Sequence, residues 1–154
     1  MAATVLEFSS IVSTPRAEVW AVVSTMNGVN KELGPWIRMT HPEGADSLAD
    51  LEVVPGEVLF ESWLLGFGFI PFDRHSLALE RLDVGYGFVE ESTSWMQRRW
   101  RHERRLSDHS AGCTVVDRLT VEPRLATATP VVVALIRRMF RHRHRQLQRR
   151  FGAA

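Results

Sequence analysis

The chain is short of the residues that announce chemistry. It has one cysteine, Cys113, among 154 residues, which excludes an internal disulfide and any multi-cysteine zinc site and fits a reducing cytoplasm. Lys31 is its only lysine and Tyr86 its only tyrosine. No apolar run approaches the ~20 residues needed to cross a bilayer. Met1-Ala2-Ala3-Thr4 has no basic region leading into an apolar core, so no secretory leader is read there. The two histidines of the last segment, His142 and His144, stand two apart, which does not put them on one helix face as a metal pair. No metal and no cofactor is expected, and no serine or cysteine is placed as an activated nucleophile.

What remains is ordinary for a water-soluble globular domain, with 45% hydrophobic and 24% charged residues. The length suits a single domain over residues 1–154. The net charge of +1 hides an asymmetry. Residues 1–91 carry 14 acids and 5 bases, whereas residues 92–154 carry 4 acids and 14 bases. Two readings follow: a solvated outer face on the last elements, or a surface for an anionic partner.

Leu6, Phe8 and Val12 share a parity over Thr4–Ser13, with Ser10 breaking the row, as in a strand with one buried face. Thr14-Pro15 has the form of a helix start, and the helix should run to about Thr25, where Asn27-Gly28 stops it. Val29–Leu33 suits one more helical turn, closed by Gly34-Pro35. Trp36–Thr40 is a weak strand, and His41–Gly56 has no readable periodicity. After Glu57–Leu65 comes Trp63–Phe72, apolar, aromatic and punctuated by glycine. It suits either a buried strand with a tight turn, or an apolar lip over a cavity or against a membrane. Strands are then expected at His75–Leu82, Tyr86–Glu91, Trp95–Leu106 and Cys113–Glu122. Asp73 and His75 share the parity of Leu77 and Leu79; they either project inward or form a solvated strand end. One amphipathic helix, about Pro130 to Phe151, carries Val132, Leu135, Ile136, Met139, Phe140 and Arg143 on its apolar stripe, continued by Leu147 and Phe151. Strands segregated from helices indicate α+β.

The final hairpin has a readable interior. Met96, Arg98, Trp100, His102, Arg104 and Leu106 form the more apolar face of one strand; Cys113, Val115, Asp117, Leu119 and Val121 form that of the next. A symmetric closure over Ser107–Gly112 sets His102 opposite Asp117, Trp100 opposite Leu119 and Arg104 opposite Val115. A slip by two leaves Asp117 diagonal to His102. A buried carboxylate needs a partner. The pair is therefore a satisfied structural contact, a polar anchor at the base of a ligand cavity, or a general acid/base His102 oriented by Asp117.

Ser13-Thr14-Pro15-Arg16-Ala17-Glu18-Val19-Trp20 after the first strand, Trp100–Arg105 with Gly112–Arg118, and Arg141–Leu147 resemble the SRPBCC superfamily. This helix-grip group holds Bet v 1-like and START-like proteins, polyketide cyclases and coenzyme Q-binding proteins. The nearest resemblance is to bacterial cyclase/dehydrase and coenzyme Q-binding-like members. It implies a curved antiparallel sheet of six or seven strands wrapped around the long C-terminal helix, with two short helices after the first strand. It also implies a cavity for a lipid, quinone, sterol or polyketide-like molecule. The first expectation is thus binding or transport of an apolar small molecule rather than turnover. Trp63, Phe67, Phe69, Trp100, Leu119, Ile136, Met139 and Phe140 would form the apolar wall, and His102, Asp117, Arg98 and Arg104 would orient a polar group. The alternatives are a polyketide cyclase/dehydratase with His102 as acid/base, and an interaction module using the basic C-terminal surface. The partner is expected to be a small molecule and not nucleic acid, with transient membrane contact left open.

Overall fold

The computed structural model describes residues 3–154. Met1 and Ala2, part of the stretch read for a leader, lie outside the described residues. Seven antiparallel strands form one sheet in the order β1-β7-β6-β5-β4-β3-β2. They are β1 (Thr4–Val12), β2 (Ile37–Met39), β3 (Val58–Gly66), β4 (Ile70–Asp83), β5 (Gly87–Ser94), β6 (Gln97–His109) and β7 (Gly112–Pro123). Two short helices, α1 (Arg16–Val23) and α2 (Met26–Leu33), follow β1, and α3 (Thr129–Phe151) closes the chain. The α+β helix-grip fold is therefore present, with all seven strands.

Local chemistry explains where the elements differ from the sequence expectation. Asn27-Gly28 does not stop a helix. The break falls at Ser24-Thr25, and Thr25 caps α2 by accepting from the Gly28 N–H at 3.0 Å. Thr14 does not cap α1; its hydroxyl, with that of Ser13, donates to the carbonyl of Phe151 at 2.7 and 3.1 Å. These hydroxyls satisfy an orphan carbonyl at the end of α3 and tie it to the start of α1. Ser92–Ser94 belongs to β5 rather than to a turn, which falls at Trp95-Met96. The unreadable stretch before β3 contains a bridge from Ser47 to Thr25 and a 3₁₀ turn at Leu48–Asp50. It delivers Ala45 and Leu48 to a core with Met26, Phe60, Leu77, Leu79 and Phe88.

The last hairpin closes over Ser110-Ala111 alone, so its register is two residues from the symmetric one: His102 pairs with Leu119, Trp100 with Val121 and Arg104 with Asp117. Asp117 is thus diagonal to His102. A bulge between Gln97 and Arg99 sets Arg98 and Arg99 together against Glu122. It reverses the parity at the start of β6, burying Gln97 and turning Arg98 outward.

Two further cores complete the molecule. Val12, Val19, Trp20, Val23, Leu106, Cys113, Val115, Leu147 and Phe151 join α1 and the end of α3 to the sheet. Leu6, Leu119, Val121 and Phe140 seal the middle of α3 against β1 and β7. The charge asymmetry of the sequence is resolved on the convex face, where basic β6 lies beside acidic β4 and β5. There Arg99 meets Glu91 at 2.7 Å, Arg101 meets Glu80 at 2.6 Å and Glu91 at 2.9 Å, and Arg105 meets Asp83 at 2.9 Å. This is the solvated-face reading for the strand arginines.

Candidate functional site

The concave face carries a chain of buried polar groups. Asp117, on β7 and fully buried, accepts four hydrogen bonds: from His102 Nε2 (2.7 Å) and Arg104 Nε (2.8 Å) on Oδ1, and from Arg104 Nη2 (2.8 Å) and His144 Nε2 (2.8 Å) on Oδ2. Arg104 turns its other edge to Glu32 of α2, donating at 2.9 and 2.7 Å. Glu32 also accepts from Arg143 Nε at 3.1 Å. His144, with Nε2 given to Asp117, meets the hydroxyl of Ser10 through Nδ1. Nearer the β5–β6 turn, Glu90 accepts from His75 Nε2 at 2.6 Å and from Ser92 at 2.7 Å. His102 Nδ1 stands 3.8 Å from Glu90 and links the two groups.

The electrostatics follow from this packing. Burial pushes the Asp117 carboxyl up, but Arg104 and His102 beside it outweigh burial and hold it well below the ordinary carboxylate range. Burial likewise opposes ionisation of Glu32 and is overcome by Arg104 and Arg143. For Glu90, burial is overcome chiefly by His75. Desolvation disfavours the Arg104 cation, and Asp117 and Glu32 more than restore it. His102 is further enclosed edge-on between Phe88 and Phe140, each at 5.2 Å. Its Nε2 is hydrogen-bonded to Asp117, while Nδ1 stands 3.8 Å from Glu90 without a hydrogen bond.

The residues read from sequence separate into two groups. Trp100, His102, Arg104, Asp117, Leu119 and Phe140 come together on the concave side, with Ile136 packed against them from α3. Met139 is partly buried one turn along. Four expected wall or anchor residues lie elsewhere. Trp63 follows inward-facing Ser62 and so points to the convex face, edge-on to Trp95 at 5.1 Å and beneath the Arg74 guanidinium. Phe67 and Phe69 occupy the β3–β4 turn, 63% and 73% exposed. Arg98 is turned outward by the bulge to within 3.6 Å of Glu122. Sequence reasoning missed Glu32, Glu90, Ser92 and His144. Its available signals were Ser10 interrupting an apolar row and Arg143 sitting inside an apolar stripe.

At the β5–β6 end the concave face is polar. Asp73 and His75 both project inward and are buried. Asp73 Oδ1 accepts from the N–H groups of Arg74 (2.9 Å) and Met96 (3.2 Å), and Ser94 Oγ from those of Met96 (3.2 Å) and Gln97 (3.0 Å). Gln97 Oε1 is the one buried side-chain nitrogen or oxygen without a partner among the described residues.

Helix α3 covers this face unevenly. Its buried residues are Phe140, Arg143, His144, Leu147 and Phe151. None of residues 129–139 is buried, although that stretch carries Val131, Val132, Val133, Leu135, Ile136 and Met139. The same end of the sheet exposes Trp36, Phe67, Phe69, Trp95 and Leu125, all in turns or element ends. A hollow of about 330 Å³ lies elsewhere, between α1–α2 and the last turns of α3, lined by Val22, Lys31, Gln146, Leu147, Arg150 and Phe151 among others. Another, about 250 Å³, lies among the convex-face arginines. Among the described residues no three His, Cys, Asp or Glu side chains converge as metal ligands, and no helix is long and apolar enough to cross a membrane.

Residues 10–151 match the family described as a domain of unknown function, DUF8410. A search of curated proteins returned no match. Among solved structures, the START superfamily protein from Mycobacterium smegmatis is 12% identical with a TM-score of 0.66, covering 96% of each chain. Ara h 8.0201 is 11% identical with a TM-score of 0.60, covering 95% of this chain and 98% of its own. The Zhui aromatase/cyclase from Streptomyces sp. R1128 is 16% identical with a TM-score of 0.60, covering 94% and 91%. At such identities the likeness is one of fold. The chain is a member of the DUF8410 family, with the helix-grip architecture of the SRPBCC superfamily.

Proposed function

We propose that this protein binds an apolar small molecule on its concave face, beneath the first half of α3. One observation carries the reading: no residue of 129–139 is buried, and the aliphatic side chains that face the sheet there, Val133 and Ile136, are covered only in part. A helix that has paid the entropy of ordering normally gains by burying such a stripe. A ligand of lipid, quinone, sterol or polyketide-like character would supply the missing contact against Trp100, Val133 and Ile136. Its entrance would be the end of the sheet where Trp95, Phe67 and Leu125 are exposed. The superfamily fold supports this reading and does not select among those classes.

Turnover with His102 as acid/base has weaker support. A general acid must reach a substrate proton at hydrogen-bond distance, and His102 gives Nε2 to Asp117 and is enclosed between two phenyl rings. An interaction module built on the strand arginines is weakened by their carboxylate partners; the arginines of α3 remain for anionic surfaces. A single domain and a cytoplasmic setting, with Cys113 a reduced thiol, stay part of the proposal.

Native mass spectrometry of the purified protein tests it, together with a titration monitored by tryptophan fluorescence using 2-methoxynaphthalene. Ile136→Arg should abolish binding of this probe, while Val131→Arg on the exposed side should leave it intact. Equal binding by both variants and the wild type would show that the probe sits elsewhere.

A further inference from the structure

We propose that Gln97 selects the ligand, and that the ligand is an uncharged apolar molecule carrying a hydrogen-bond donor such as an alcohol or phenol. The inference rests on the concave-face reading above and adds the chemistry of the ligand's polar end. The bulge at Arg98-Arg99 turns Gln97 from the convex row to the concave side. Its backbone N–H is fixed to Ser94 Oγ at 3.0 Å, so the side chain starts from an anchored position. Only 6% of the residue is exposed, and its carbonyl oxygen has no donor. A buried amide oxygen without a donor is disfavoured, and a ligand hydroxyl satisfies it.

The groups around the Gln97 oxygen disfavour an anion. The two arginines of the concave side, Arg104 and Arg143, are committed to Asp117 and Glu32. The groups near Gln97 are Asp73, His75 with its Glu90 partner, Ser62 and Ser94. A carboxylate or phosphate at the Gln97 oxygen would set acceptor against acceptor beside Asp73, and the nearest arginine, Arg124, turns its Nε to the Ser94 carbonyl at 2.8 Å. A neutral donor meets a waiting acceptor, while Trp100 and Ile136 take its apolar body.

Three probes of one shape separate the outcomes at neutral pH: 2-naphthol, 2-methoxynaphthalene and 2-naphthoate. Wild-type protein should bind the naphthol roughly ten-fold more tightly than the ether, the scale of one buried hydrogen bond, and should bind the naphthoate weakest. Gln97→Leu and Gln97→Met should weaken naphthol binding roughly ten-fold and bring the naphthol-to-ether ratio close to one. Both variants should melt, without ligand, at or above the wild-type temperature, because each removes an acceptor that has no partner. Equal wild-type affinity for naphthol and ether, a preference that survives in both variants, or naphthoate binding as tightly as naphthol would overturn the proposal. So would a lowered melting temperature in both variants with all probes weakened alike, which would make Gln97 a support of the bulge. Failure of every probe to bind wild-type protein would instead remove the concave-face reading itself.

Discussion

Replacing Arg104 with methionine should cost about 3–5 kcal/mol of stability at neutral pH, the usual consequence of deleting one partner of a buried ion pair. Arg104 is 1% exposed and makes four hydrogen bonds, two to Asp117 and two to Glu32. Its removal leaves the fully buried Asp117 with only His102 and His144, and Glu32 with only Arg143. Arg101 is the internal control. It meets three carboxylates, but on the solvated convex face, so Arg101→Met should cost no more than about 1 kcal/mol. Urea unfolding followed by circular dichroism gives both values. The pH dependence adds a second constraint. In the wild type the Asp117 and Glu32 pKa values are depressed, so their stabilisation is complete above the ordinary carboxylate range and is lost as pH falls through the folded values. Without Arg104, burial dominates and those pKa values rise, so the penalty is greatest at pH 7 and fades as the carboxyls take up protons. The deficit of Arg104→Met should therefore shrink between pH 7 and pH 4.5. A deficit equal to that of Arg101→Met, or one that does not change with pH, would refute the argument that this pair is unscreened and acts through its carboxylates.

Wild-type melting temperature should hold near neutrality and fall once the medium is acid enough to protonate Asp117, Glu32 and Glu90, all held low in the fold; a flat profile down to pH 3 would contradict the cluster's contribution. Cys113 is fully buried, and burial pushes its thiol pKa up, so Ellman's reagent should react slowly with native protein and at once in urea. Gly87 has φ +147 and an added Cβ would collide with the Arg104 carbonyl, so Gly87→Ala should cost about 2–3 kcal/mol in chemical denaturation. Gly68, with φ +86 in an open turn where a Cβ meets nothing within 4 Å, should lose only about 1 kcal/mol on the same change.

Periodicity made the overall architecture legible before any coordinates. Alternation in β1, β6 and β7 and the stripe on α3 are direct imprints of one-sided burial. Three kinds of feature escaped it. The His102–Asp117 contact was readable only as a neighbourhood, because a two-residue closure at Ser110-Ala111 shifts the ladder without changing which faces point inward. The bulge at Arg98 inserts one residue and reverses parity, which no alternation count detects in a run of arginines. Glu32 lies 72 positions from Arg104 and occupies a short helix where one acid looks like any solvated residue. Its role depends on the α2–α3 contact, which local pattern does not encode. The placement of Trp63, Phe67 and Phe69 is hard to read for a related reason: aromatic character marks apolar surface but does not say which side of a sheet or turn it occupies.

The uneven seating of α3 gives the two halves of one rod different evolutionary freedom. From Phe140 onward nearly every inward position is fixed by a core or by the ion cluster, and substitutions there are constrained by folding itself. Ahead of it, between Val131 and Met139, no residue is buried, and Val133 and Ile136 pack against a core only in part. That stretch can exchange one aliphatic residue for another and reshape the accommodated molecule while the scaffold stays intact.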